Sequence, residues 1–416
     1  MPQLALNFIC KDESHVVGRL LESVKSITDL IVVNDTGSTD GTQEIIRRFG
    51  AENDIPTYVF ERPFDDFGHS RHYALQKLKE VVQELHWNPE DVWGYWADCD
   101  ERLIIDPAFT KAALDKDMYN VAGEIDRSPF ARGSLFRLSR DFYWYGPVHE
   151  ALMWKDPFIT SARLPGLYIV SEKVGYSWKG DLAAKYLRYA EMLEDFISSE
   201  DRGGRWVFYT AQSYFTAADF CTDETDSLPL YSRALKYYEE RVSIYRGGSP
   251  NRVELEERYF AQFQVGVILN KCGESWPFVQ EALLRAYGLD PLRAEAFLMI
   301  IQHYENEKDW TLAYFFSRFS VDTFHGKSPL GQRFIGVEPA LYNWQLLWMH
   351  YLVCFHSGRK AEMADTYRKI TDLIKNHPDY FTPDDLLLVK THTPFVLSIN
   401  SRVQAWKGRF KRKSLA

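Results

Sequence analysis

The chain has 416 residues, 45 % of them hydrophobic, 26 % charged and 15 % aromatic, with a formal net charge of −9. That length predicts two or three domains, each with a core of its own. The composition excludes disorder, collagen-like repeats and a small disulfide-stapled scaffold, and the acidic balance argues against wholesale coating of nucleic acid.

The first elements alternate short apolar runs with helical patterns. Leu4–Cys10 reads as a strand buried on both faces, and it lacks the basic start that a signal peptide needs. Val16, Val17, Leu20, Leu21, Val24 and Ile27 follow at helical spacing. Leu30–Val33 is a second buried strand, closed by the turn-forming run Asn34-Asp35-Thr36-Gly37-Ser38-Thr39-Asp40-Gly41, after which Thr42–Phe49 continues as a helix. Thr57–Phe60, a helix through Ala74–Leu85, and the strand Val92–Ala97 complete a β-α-β alternation that predicts a mostly parallel sheet. Ligands on such sheets bind at the carboxyl ends of the strands, where the polar runs fall.

Short strands are expected between Tyr119 and Ser171, at Asn120–Ile125, Gly133–Leu138 and Leu167–Ser171. Beyond Gly180 the pattern is helical. Pairs can be drawn at 205–220 with 229–245, 255–271 with 276–287, 293–305 with 309–323, and 339–357 with 360–377. Their starts are spaced by 50, 38 and 46 residues. They resemble degenerate tetratricopeptide repeats, whose ideal period is about 34 residues. The expected domains are 1–180, 181–395 and a basic tail, 396–416. Five scattered cysteines (Cys10, Cys99, Cys221, Cys272, Cys354) without CxxC spacing point to a reducing cytoplasm.

Three runs carry candidate chemistry. Asp98-x-Asp100, directly after an apolar strand, sets two carboxylates where they can share a hard divalent cation, Mg²⁺ or Mn²⁺. A solvated acidic turn is the plainer alternative. Asp35–Gly41 suits a nucleotide pocket or an ordinary strand-to-helix turn, with Lys11-Asp12-Glu13 on its border. Phe67-Gly68-His69-Ser70-Arg71 opens a helix whose free N–H groups and Arg71 suit a diphosphate.

Together these residues resemble an inverting family-2 glycosyltransferase with the GT-A fold. Lys11-Asp12-Glu13 is similar to the family's first-strand Asn-Glu element. Val33–Thr42 is similar to its Asp-Asp-Gly-Ser-Thr-Asp-Gly-Thr signature, and Phe67-Gly68-x-x-Arg71 to its Gly…Arg-Asn element. Asp98-Cys99-Asp100 stands where the family has its Asp-x-Asp. Leu135-Phe136-Arg137 and Trp144-Tyr145-Gly146-Pro147-Val148-His149-Glu150 resemble a run of a bacterial and phage branch, in which tetratricopeptide-like helices often follow the catalytic domain.

The resemblance implies a GT-A Rossmann-like mixed-sheet domain followed by an all-α helical-repeat domain. It implies a nucleotide-sugar donor, UDP-hexose first, gripped by Mn²⁺ or Mg²⁺. Lys11, Glu13, Asp35, Ser38, Arg71, Asp98 and Lys173 would bind the donor, Asp98, Asp100 and His149 the metal, and Glu150 would be the general base. Lys173 or Glu172 stands where relatives carry a His that completes the metal shell; Glu172 could still bind a cation there, or Lys173 could instead meet phosphate as a point charge. The acceptor is expected to be a peptide or protein, a saccharide or a modified DNA base, with the helical repeats presenting it or pairing two copies of the chain. The rivals are a non-catalytic repeat scaffold and a nucleotidyltransferase, the latter disfavoured because no glycine precedes Gly18 after the first strand.

Overall fold

The computed structural model describes residues 2–125, 128–244, 252–330, 332–333 and 335–392. The predicted basic tail, 396–416, lies outside the described residues. The chain divides into two compact units, 1–237 and 238–416.

In the first unit, β1 (Gln3–Cys10), α1 (Val17–Val24), β2 (Leu30–Asp35), α2 (Thr42–Glu52), β3 (Thr57–Glu61), α3 (Phe67–Glu84) and β4 (Val92–Trp96) follow the predicted alternation. β5 (Glu101–Ile105), β6 (Met118–Ile125), β7 (Ser128–Arg137), β8 (Phe142–Tyr145), β9 (Ala151–Trp154) and β10 (Ser161–Ser171) come next. Eight strands form one mixed sheet in the order β3-β2-β1-β4-β7-β6-β10-β5, and β8 with β9 forms a separate hairpin. β3, β2, β1 and β4 run parallel, while β7 is antiparallel to β4.

Near-continuous apolar sequence in β1 and β2 is required because helices cover both faces. Leu6, Phe8, Ile31 and Val33 pack with Val17, Leu20, Leu21 and Val24 of α1 and Ile46 of α2. Ala5, Leu30 and Val32 point the other way, toward Leu75, Leu78, Val81 and Val82 of α3. Because β1, β2 and β4 are parallel, Lys11–Glu13, Asp35–Gly41 and Asp98–Asp100 emerge at one end of the sheet. β7, running against β4, returns Arg132 to that same end.

α4 (Leu182–Ser199), α5 (Gly204–Phe220) and most of α6 (Glu224–Ser243) also belong to the first unit, so it extends well past the expected boundary at 180. The reason lies in aromatic contacts. Tyr145 of β8 packs on Phe196 of α4 and Trp206 of α5, and Phe67 at the start of α3 packs on Tyr189 of α4.

The second unit continues with α7 (Arg252–Lys271), α8 (Trp276–Leu289), α9 (Glu295–Asn306), α10 (Trp310–Phe324), α11 (Leu346–His356) and α12 (Lys360–Asn376). A π-helical turn, Leu341–Gln345, leads into α11. The helices pair α7 with α8, α9 with α10 and α11 with α12, as the repeat pattern predicts. No helix among the described residues is long and apolar enough to cross a membrane.

Candidate active site

The loops after β1 and β2 are laced together by their own polar groups. Asp35 Oδ1 accepts from the backbone N–H groups of Gly37 (2.8 Å) and Ser38 (2.7 Å), and its Oδ2 faces the Cys10 thiol. Burial works to raise the Asp35 carboxyl, but the bonds from Ser38 and Gly37 outweigh it and leave the group below its usual range. Asp12 donates its N–H to Ser38 Oγ, and its carboxylate accepts from Thr39 N–H. The sequence pattern places Asp35 against a nucleoside. The Asp35 side chain is fully buried, its Oδ1 bound by its own loop and its Oδ2 by the Cys10 thiol, and Ser38 Oγ accepts from Asp12 N–H.

Arg71 is the hub of the site. It lies in the first turns of α3 with its side chain 8 % exposed, beside the rings of Trp96 and Trp144. Nη2 donates to Asp98 Oδ1 and Nε donates to Glu150 Oε1, each at 2.5 Å. On its other side, Asp98 meets Arg132 Nη1 at 3.8 Å, and Arg132 Nη2 donates to Glu101. A chain of alternating charge thus runs Glu150, Arg71, Asp98, Arg132, Glu101. Burial disfavours the Asp98 charge, yet Arg71 and then Arg132 hold its carboxyl below the usual carboxylate range.

Backbone geometry brings Glu150 to Arg71. Gly146, in the β8–β9 connection, has φ +93°, and a Cβ there would lie 2.2 Å from the Trp206 ring. Phe67 N–H donates to the Pro147 carbonyl, which docks the connection on the start of α3. His149, at φ 52°, stacks its ring on Tyr209 at 4.1 Å, and its carbonyl accepts from Arg205. Burial, then the charges of Arg205 and Lys185, pull the His149 imidazole down to about 3, so it stays neutral.

Asp100 sits in a different electrostatic setting from Asp98. Burial and the negative charges of Asp98, Glu101 and Glu13 push its carboxyl up to about 7. Glu13 is raised too, chiefly by burial, although its Oε1 accepts from Tyr176 N–H. The 172–178 loop closes against both acids through Gly175, where a Cβ would meet Asp100 Oδ2 and Glu13 Oε1 at 3.1 Å each. Lys11 lies over the Tyr176 ring, and Lys173 over the Trp178 ring. Glu172 is bound by Arg19 and does not face this cluster as a free ligand.

Surplus negative charge on oxygen donors is what a hard divalent cation relieves, so Asp100 fits Mg²⁺ or Mn²⁺. The predicted trio is not preassembled as a cage. Among the described residues, the donor atoms of Asp98, Asp100 and His149 do not converge within 4.8 Å of one another. Arg71 occupies one Asp98 oxygen, and the His149 ring lies stacked on Tyr209. The buried polar atoms at this end without a hydrogen-bond partner among the described residues include Arg71 Nη1, a donor, and Glu13 Oε2, an acceptor. A ligand presenting both an anionic oxygen and a hydroxyl would satisfy them.

Arg132 and Lys185 were not identifiable from sequence motifs. Arg132 leans on Trp96 at 3.8 Å, and only the register of β7 against β4 brings it to Asp98. Lys185 of α4 stands over Trp178 at 4.2 Å, between Tyr186 and Tyr189. Burial pulls it down to about 8, against the opposing pull of Asp100. Arg137, part of the sequence resemblance, lies elsewhere, stacked on Trp93 and beside Glu90 and Asp117.

No family model matches the chain. Among curated proteins it is 24 % identical over 222 residues to the SPbeta prophage-derived glycosyltransferase SunS of Bacillus subtilis, covering 50 % of this chain and 48 % of that protein. It is 29 % identical over 151 residues to the TPR repeat-containing protein Synpcc7942_0270 of Synechococcus elongatus, covering 36 % and 35 % respectively. It is 26 % identical over 105 residues to the lipopolysaccharide core biosynthesis glycosyltransferase LpsC of Rhizobium meliloti, covering 25 % and 34 %. The chain thus spans about half the length, or less, of these curated relatives.

Proposed function

We propose that this protein is a glycosyltransferase whose first unit moves a sugar from a nucleoside diphosphate donor to an acceptor hydroxyl. The observation that carries the reading is Arg71, a buried guanidinium joining Asp98 after β4 to Glu150 before β9 at the carboxyl end of the sheet. Similarity to two proteins named as glycosyltransferases, SunS and LpsC, supports the same class. The finer reading is a family-2, GT-A-type enzyme acting with inversion on UDP-hexose.

In that reading the donor lies across the ends of β1, β2 and β4. Glu13 Oε2 accepts from a nucleoside hydroxyl, and Lys11 and Lys173 stand at the loops bordering the pocket. Asp100, with Asp98 beside it, would hold Mn²⁺ or Mg²⁺, which supplies positive charge to the leaving diphosphate. Arg71 Nη1 and Arg132 add fixed positive charge that costs no reorganisation during the reaction. The acceptor oxygen bonds to the anomeric carbon as the bond from that carbon to the phosphate oxygen breaks. The hydroxyl proton passes to Glu150, and the nucleoside diphosphate departs with the bonding electron pair. Arg71 holds only one Glu150 oxygen, which leaves the other for that proton.

The helical pairs are read as the acceptor-binding part, with a peptide or protein the first acceptor to try and a saccharide or modified DNA base next. Pairing of two copies through the helices, and a cytoplasmic setting, belong to the same proposal.

The test is turnover of UDP-glucose, UDP-galactose and UDP-N-acetylglucosamine by the purified full chain with Mn²⁺. Release of UDP that Asp100→Ala abolishes, with the circular dichroism spectrum unchanged, is the expected result. Nucleotide binding without turnover of any donor would favour the scaffold reading instead.

A further inference from the structure

In the second unit, α11 and α12 bring together three side chains that glycosyl transfer leaves unused. His350 and Cys354 are four residues apart on α11 and therefore share a face. Glu362 lies in the first turn of α12. The imidazole Nε2, the thiol Sγ and a carboxylate oxygen all lie within 4.8 Å of one another. Nε2 is 3.1 Å from Glu362 Oε1 and 3.6 Å from Cys354 Sγ. A tetrahedral zinc with ordinary bond lengths separates a nitrogen and an oxygen ligand by about 3.3 Å, and a nitrogen and a sulfur ligand by about 3.6 Å. Both measured edges match that tetrahedron to within a few tenths of an ångström.

The second ring nitrogen has a partner too. Ser317 Oγ lies 2.9 Å from His350 Nδ1 and 3.2 Å from the Tyr314 carbonyl. Without metal, an Nε2–H donates to the Glu362 carboxylate 3.1 Å away. A cation between them replaces that hydrogen bond with two ligand bonds, the ring proton moving to Nδ1, where it is donated to Ser317 Oγ as a metal-bound histidine donates to its outer partner. Tyr314 and Arg318 in turn hold the carboxylate.

We propose that His350, Cys354 and Glu362 hold one zinc ion that clips α11 to α12, with water as its fourth ligand. On binding, the Cys354 S–H bond breaks, its proton leaves to solvent and a sulfur–zinc bond forms. Thiolate and carboxylate balance the ion's two positive charges, and the imidazole remains neutral. Without metal, burial pushes the thiol up to about 12, so the ion and the proton compete for the sulfur. His350 and Cys354 are buried, while Glu362 keeps 25 % of its side chain exposed and offers the entry route.

The test is metal content and cobalt spectroscopy of the full chain. Protein from zinc-supplemented cells should hold about one zinc per chain after gel filtration. Exchange for Co²⁺ should give a thiolate-to-cobalt charge-transfer band in the near ultraviolet. Cys354→Ser should abolish that band, whereas Asp100→Asn, in the other unit, should keep it. Ser317→Ala retains all three ligands and should weaken Zn²⁺ binding about 10–100-fold, a readout that stands even where Cys354→Ser fails to fold. Absence of stoichiometric zinc, a band that survives Cys354→Ser, or unchanged affinity in Ser317→Ala would each overturn the proposal. None of these results depends on whether the first unit transfers sugar.

Discussion

At Arg71 a single guanidinium meets two carboxylates, and this pairing sets apart the roles of three acids at the end of the sheet. Glu150 and Asp98 are held in place by charge, while Asp100 is left among like charges with its carboxyl near 7. Glu150→Gln keeps the shape and removes the proposed base. It should lower kcat by about 10²–10⁴-fold with little change in donor KM, as steady-state kinetics would show. Asp100 gives a prediction in pH. Its carboxyl titrates at about 7 in the folded chain and near 4 when unfolded. The folded state therefore binds the extra proton across that window, and stability falls as pH rises through it. In chelator, Asp100→Asn should melt higher than wild type at pH 8, with the gap closing toward pH 4. A gap independent of pH would contradict this account of Asp100.

At the scale of elements, what positions the site is the docking of the β8–β9 connection between α3 and α5. Gly146→Ala must relieve both the φ of +93° and a Cβ 2.2 Å from Trp206. Shifting Glu150 by about 1 Å should cost about 10²-fold in turnover, readable against an unchanged circular dichroism spectrum. A second clamp lies on α4. Glu194 accepts from Tyr214 of α5 and from Tyr237 of α6, and also pairs with Arg233. Glu194→Ala strands two buried hydroxyls and should cost about 2–4 kcal/mol in urea unfolding, most of it absent when both tyrosines are also Phe. The strands β1 to β4 and nearly all the helices are legible in the sequence, because each buries an apolar pattern of its own period. β5, β8 and β9 are not, since two are only four residues long and β5 finds its partner β10 about sixty residues later. α4 carries Tyr186, Tyr189, Leu193 and Ile197 at helical spacing, but no motif marks it as part of the site.

At the scale of the whole molecule, local motif and long-range packing contribute different information. Spacing places Asp98, Asp100, Glu13 and Arg71 at one end of the sheet, as parallel strands require. It cannot show that Asp35 is bound by Gly37, Ser38 and Cys10, or that Arg132 and Lys185 arrive from β7 and α4. The irregular repeat period has a physical cause as well. The segment between α10 and α11 adds residues that the fully buried Arg293 pins, donating to the Ile335 and Gly336 carbonyls while Glu256 accepts from Ile335 N–H. That pinned segment stretches the interval from 293 to 339 beyond the 34-residue ideal.

The central claim, that this end of the sheet seats a nucleoside diphosphate, is tested most directly by thermal shift of the full chain. UDP, GDP, TDP and CMP should be compared, each with and without Mn²⁺. One diphosphate at 100 times its Kd should stabilise the first unit by about 2.7 kcal/mol, more with Mn²⁺ than without, and Arg71→Ala should abolish the shift. A melting temperature unmoved by all four nucleotides, with or without the ion, would contradict the account.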